Sequence, residues 1–160
     1  MTRASALAAM VALLGLAAGC GSGDDAGDSD GDVVVVDGFA VIDAWAPPTP
    51  TGVAEAAIYI TVENRNAPDD RLIGVSSERC MVMTPHLTVI SDDIASMTEA
   101  DEDDDVLSLA AGDRVVMEPN GLHAMCLGLD EPLVVGDEFD VVVQFSAHDP
   151  IVAAVTVRPR

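Results

Sequence analysis

From Val33 onward, apolar and polar positions alternate along much of the chain with a period of two. Phe139, Val141, Val143 and Phe145 alternate with Asp140, Val142 and Gln144. Ile58, Ile60 and Val62 alternate with Tyr59, Thr61 and Glu63, and Ile151, Ala153, Val155 and Val157 repeat the pattern. Successive side chains of a strand leave opposite faces, so this period with β-branched enrichment predicts half-buried strands. Further strands are expected over 33–44, 71–77, 81–90, 114–118 and 122–129. Turn chemistry separates them at Pro47-Pro48, Asn66-Ala67-Pro68-Asp69, Ala111-Gly112-Asp113, Pro119-Asn120-Gly121 and Gly136-Asp137. Seven to nine short strands at this spacing predict an all-β antiparallel sandwich or barrel. Residues 98–105 fit no strand, and the run Asp101-Glu102-Asp103-Asp104-Asp105 predicts an exposed loop.

The start of the chain reads differently. Arg3 precedes an uncharged apolar run from Ala6 to Ala18, the length of a signal-peptide core and too short to span a membrane comfortably. Leu16-Ala17-Ala18-Gly19-Cys20 closes that run and resembles a bacterial lipoprotein signal. The resemblance implies that residues 1–19 are removed and that Cys20 carries a lipid anchoring the protein outside the cytoplasmic membrane. Gly21 to Asp32 is nearly all Gly, Ser, Ala and Asp, which cannot bury apolar surface. Residues 20–32 are therefore expected to be the lipidated Cys and a flexible acidic tether. Residues 33–160 suffice for one domain with a real core.

Charge narrows the partners. The chain has seven Arg, no Lys and 28 acidic residues, a formal charge of −21. Loss of residues 1–19 takes Arg3 with it and leaves six Arg against 28 acids, a charge of −22. Phosphate binding needs clustered cations, so nucleic acid is excluded as a partner. The acidic surface is read first as solvation and second as long-range attraction of cations or a basic partner. With Cys20 lipidated, Cys80 and Cys126 remain, and an even pair in an oxidising compartment is a candidate disulfide. The rival reading has one or both thiols binding metal.

Four residues carry candidate chemistry: His86, Met97, His123 and Met125. His123 and Met125 are two apart in a predicted strand, which puts an imidazole beside a thioether on one face. Ten residues separate His86 from Met97, a spacing that suits adjacent strands joined by a turn around Asp92-Asp93. A thioether is soft, uncharged and needs no deprotonation, so it favours Cu(I) over hard cations, and imidazole suits copper too. Zinc would recruit Cys or carboxylate. The bland alternative is that the methionines fill a core and the histidines are simply hydrogen-bonded. Met83 lies near His86 in sequence and is a reserve ligand, whereas Met81 and Met117 are expected to pack and His148 to lie at the surface.

The order His86-x10-Met97, then His123-x-Met125, resembles the periplasmic copper chaperone family called PCuAC. Ala44-Trp45-Ala46-Pro47, the run from Ala57 to Asn64, Asp70 to Ser77 and Leu133-Val134-Val135-Gly136-Asp137 resemble it as well, so the likeness covers about 41–157. It implies a cupredoxin-like Greek-key β-sandwich or barrel with a Cu(I) site at one end. It also implies ligation by His86, Met97, His123 and Met125, and transfer of copper to a membrane acceptor such as a cytochrome c oxidase subunit or its assembly factor. A monomer is expected. Two departures from the family pattern stand out. The gap from Met97 to His123 holds 25 residues, a few more than usual, and Pro85 just before His86 predicts an edge or bulged strand there.

No Gly-x-Ser-x-Gly elbow, phosphate loop or zinc-protease helix is present, so an enzyme is not expected. Asp101, Asp103 and Asp105 alternate as in a calcium loop, but Val106 stands where Gly is needed and Gly112 where the bidentate Glu is needed. The runner-up is a non-metal binding or adhesion lipoprotein on the same β scaffold.

Overall fold

The computed structural model describes residues 32–91, 94–101 and 105–160. The expected signal peptide, Cys20 and nearly all of the tether lie outside the described residues, as do Glu102 to Asp104 of the acidic run. Eleven strands form: β1 (Val33–Val36), β2 (Phe39–Ala46), β3 (Glu55–Asn64), β4 (Asp70–Ser76), β5 (Cys80–Ser91) and β6 (Ile94–Glu99), then β7 (Ser108–Leu109), β8 (Arg114–Val116), β9 (Leu122–Leu129), β10 (Glu138–Phe145) and β11 (Ile151–Val157). A single 3₁₀ turn covers Asp105–Leu107. The strand count exceeds the expected seven to nine because short pairings add to the long strands. The region expected as one strand over 33–44 is a hairpin: Asp37 and Gly38 both adopt positive φ, and Val36 pairs with Phe39 across them. Asp-Gly is the turn that a two-residue hairpin requires.

The sheet runs β6-β5-β9-β3-β2-β11-β10-β4-β7, with β1 on β2 and β8 on β3. Strand β3 joins the two limbs. Its first half pairs with β9, and its second half pairs with β2 on one side and β8 on the other. The limbs curl around one core. Phe139, Val141, Val143 and Phe145 point into it from β10, Ile151, Ala153, Val155 and Val157 from β11, and Ile58, Ile60 and Val62 from β3. These are the residues that the period-two alternation selected.

Strands β5 and β9 carry much of the site, and three features fix them together. Their register runs without a shift from Val82↔Leu127 to Leu87↔Leu122. A disulfide joins Cys80 to Cys126, with a Cα–Cα distance of 5.5 Å. Beside it, Arg79 Nε donates to Asp130 Oδ1 at 2.7 Å, and this hydrogen bond holds the Asp130 carboxyl below its ordinary range. Gly128, at φ +67, lets β9 approach β5 closely: a Cβ there would meet Met81 Cβ at 2.7 Å. Oxidised in a disulfide, neither cysteine offers a thiolate, so the structure departs from the rival reading of Cys80 and Cys126 as metal ligands.

Pro85 sits inside this register, opposite Ala124. Its carbonyl accepts from Ala100 N on the β6 side, so its missing N–H also faces that side. There the β5–β6 pairing has just ended at His86↔Glu99. Pro85 therefore lies on a locally open edge, which is where a strand tolerates proline. His148 departs from the expectation of a surface residue. Its ring lies 4.9 Å from that of Phe39 and 5.5 Å from that of Phe145, and it is mostly covered.

Candidate metal centre

Backbone pairing assembles the candidate ligands. Residues directly opposite in an antiparallel pair share a face. His86 lies opposite His123, and Thr84 lies opposite Met125. Met97 lies opposite Thr88, two residues along β5 from His86. The period of two then puts His86, Met97, His123 and Met125 on the same face of the β6-β5-β9 limb. The other face of β9 carries Leu122, Ala124 and Cys126, all buried in the core. The local sequence of β9 thus separates its chemistry from its packing, one residue at a time.

The imidazole rings of His86 and His123 have centroids 6.1 Å apart and are nearly parallel, at 29°. A metal sits about 2.0 Å from an imidazole nitrogen, so one ion can lie between rings at this spacing. The ring orientations suit that use. His123 Nδ1 lies 3.1 Å from the Gly121 carbonyl oxygen, and His86 Nδ1 lies 3.2 Å from that of Thr84. A carbonyl only accepts, so each Nδ1 carries the proton and each Nε2 keeps its lone pair. This is the outer-shell arrangement that orients a metal-binding histidine. His123 is 5% exposed and its Nε2 makes no hydrogen bond. No side-chain nitrogen or oxygen among the described residues is buried without a partner, so this Nε2 opens to the adjoining cavity.

That cavity has a volume of about 360 Å³ and is lined by Met97, His123 and Met125 together with Tyr59, Asn120 and Arg160, among others. His86 is not part of its lining and flanks it through His123. Met97 is 63% exposed, the most open of the four. Among the described residues no three His, Cys, Asp or Glu converge, so the donor set here depends on thioethers. Such a set fits a soft monovalent ion better than zinc or calcium.

Met83 does not join the site. It faces Cys126 across the β5–β9 pair and packs against the core. Three residues separate it from His86, and an odd offset in a strand points to the opposite face. Met117 is buried as expected, whereas Met81 is exposed rather than packed.

Sequence reasoning missed an aromatic and basic flank. Tyr59, expected on the polar face of β3, is buried, with its ring 4.7 Å from Trp45 and 6.5 Å from His123. Arg160 Nη2 donates to the Tyr59 hydroxyl at 3.2 Å. Arg158 lies 5.1 Å over the Trp45 ring and pairs with Asp43 at 2.7 Å. The available signal was the adjacency of Trp45 and Tyr59 in two strands likely to pair only once their register was known.

Comparison with known proteins agrees with the architecture. Residues 39–157 match the family described as "Putative lipoprotein LpqE-like". The "Putative lipoprotein Lxx21020" of Leifsonia xyli subsp. xyli is 28% identical over 122 residues, covering 76% of this chain and 70% of that protein. The copper-bound PCuAC domain from PmoF2 superposes with a TM-score of 0.65 at 21% identity, over 81% of this chain and 99% of that domain. CuI-DR1885 from Deinococcus radiodurans gives 0.56 at 21%, over 73% and 76%. The chain has the fold of these PCuAC domains.

Proposed function

This chain belongs to the LpqE-like lipoprotein family, and from that premise we propose that it is an extracytoplasmic copper chaperone. It binds Cu(I) through His86, Met97, His123 and Met125 and is held at the membrane by a lipid on Cys20. One observation carries this reading: strand register alone puts two imidazoles and two thioethers on one face, beside a cavity. The structures sharing its fold include one described as copper-bound and one as a CuI form.

Copper is cargo here, and the donor set suits cargo. Four neutral ligands hold a monovalent soft ion without thiolates, which oxidise outside the cell. Both imidazoles are pre-oriented by backbone carbonyls, so the two histidines form the rigid half of the site. Met125 continues it on β9. Met97, on the exposed outer strand, is the ligand that an incoming acceptor reaches first. Release then proceeds by exchanging Met97 for an acceptor ligand while the buried pair still holds the ion. The acceptor is a membrane protein such as a cytochrome c oxidase subunit or its assembly factor.

X-ray absorption on the Cu(I)-loaded chain tests the ligand set. Two sulfur and two nitrogen scatterers around a 1s-3d-silent copper edge are expected. A sulfur-free shell, or one containing the shorter bonds of thiolates, would remove the proposal.

A further inference from the structure

Strand β6 ends the sheet order, and among the described residues nothing pairs with its outer side. Every residue from Ile94 to Glu99 is exposed. Unpaired N–H and C=O groups on a sheet edge are a template for another strand, and proteins usually blunt them with Lys, Pro or a bulge. The sequence Ile94-Ala95-Ser96-Met97-Thr98-Glu99 has neither Lys nor Pro, and its pairing with β5 shows no register shift.

The direction of the free groups follows from one hydrogen bond. Ala100 N donates to Pro85 O, so residue 100 faces β5. Alternation then turns 98, 96 and 94 inward and leaves Ala95, Met97 and Glu99 with outward N–H and C=O groups. A strand added here would pair with the backbone of Met97 itself. Its residue opposite Met97 would share the face of that thioether, with Cβ atoms about 5 Å apart. The ribbon also exposes Val89, Ile90 and Ile94, at 43%, 63% and 70%. Clustered apolar exposure of this kind marks an interaction surface.

Charge selects the occupant. From residue 92 to 105 the sequence carries Asp92, Asp93, Glu99, Asp101, Glu102, Asp103, Asp104 and Asp105, with no Arg, Lys or His. A second copy, equally acidic over this stretch, is repelled, and so is an anionic lipid surface. A cationic strand is attracted.

We propose that the free edge of β6 accepts an extended, cationic segment of the protein that exchanges copper with this one, setting a soft ligand of that segment beside Met97. The inference rests on the copper-transfer reading and names how the partner docks, by strand addition. It gives the acidic run after β6 a purpose as the electrostatic part of the dock.

The test uses the full chain and two synthetic peptides, Lys-Val-Lys-Met-Lys-Val-Lys and its counterpart with Glu for every Lys. Ala95→Pro removes one outward N–H and leaves the four candidate ligands and the inner ladder untouched. Calorimetric titration should show the Lys peptide binding the wild type and the Glu peptide not binding. Ala95→Pro should weaken the Lys peptide at least tenfold while Cu(I) affinity, read by chelator competition, stays within about twofold. Hydrogen exchange in the wild type should slow over 94–100 on peptide addition. Equal binding by Ala95→Pro, no binding of the Lys peptide to the wild type, or equal binding of both peptides would overturn the proposal. The last two outcomes are read on the wild type alone, so a poorly folded variant does not shelter it. Failure of the chain to bind Cu(I) is a separate result: it removes the copper partner, whatever the peptide does.

Discussion

Replacing both bridging cysteines, Cys80→Ala with Cys126→Ala, should cost this domain a large share of its stability. The two residues are 46 apart in sequence. Closing a loop of that size removes roughly 13 cal/mol/K of entropy from the unfolded chain, about 4 kcal/mol at 25 °C. Small domains have net stabilities of only about 5–15 kcal/mol, so the loss is a substantial fraction of the whole. For a domain of this length each kcal/mol moves the midpoint by roughly 3–5 °C, which predicts a fall in Tm of about 12–20 °C. The assay is urea unfolding of the domain from Val33, followed by far-UV circular dichroism, for the wild type and the double variant. The m-value should rise as well, because the unlinked unfolded chain exposes more surface. Cys126 lies in the core on the face of β9 opposite Met125, so one Cu(I) should still bind per chain. A stability loss under about 1 kcal/mol would refute the reasoning about the clamp. Loss of copper binding with stability preserved would refute the assignment of the two cysteines to structure.

Gly128→Ala should destabilise by about 2 kcal/mol, since it puts a Cβ at a left-handed φ of +67 and 2.7 Å from Met81 Cβ; thermal melting of the variant checks this, and an unchanged Tm would contradict it. Hydrogen bonds from Arg114 and Arg65 hold the Glu63 carboxyl below its ordinary value of 4.5. A lowered folded-state pKa contributes stability above the unfolded value and loses it as pH falls through the folded one. Glu63→Gln should therefore be less stable than wild type near neutral pH and should converge with it in strong acid, as denaturant titrations at the two pH values would show; a constant difference would contradict it. Imidazole must be unprotonated to bind metal, so Cu(I) affinity should fall as pH drops through the general histidine range near about 6.5. An affinity flat between about pH 7.5 and about pH 5, read by chelator competition, would contradict histidine ligation.

Much of the architecture is legible in the chain because period-two alternation is a local property. β3, β10 and β11 declare their buried residues without reference to any neighbour. The pairing of His123 with Met125 is legible for the same reason, and so is the exclusion of Met83, whose odd offset from His86 already points away. What is not legible is register. Nothing local in β5 or β6 says that Met97 meets Thr88 and not His86, a diagonal placement set by the pairing of Ser91 with Ile94. Tyr59 is misread because alternation assigns it to solvent, whereas Trp45 and Arg160 cover that face. The Asp37-Gly38 turn is a different failure: the signal is present, but four consecutive valines before it and an apolar run after it read as one strand.

The account stands most directly on a Cu(I) titration of the domain from Val33, under reducing conditions with a competing chelator, beside Met97→Ala/Met125→Ala. It predicts tight one-to-one binding by the wild type and a loss of at least about 100-fold in the variant, which keeps both histidines but no thioether. Binding that is weak in the wild type, or unchanged by removing the two methionines, would contradict a site built from these four residues.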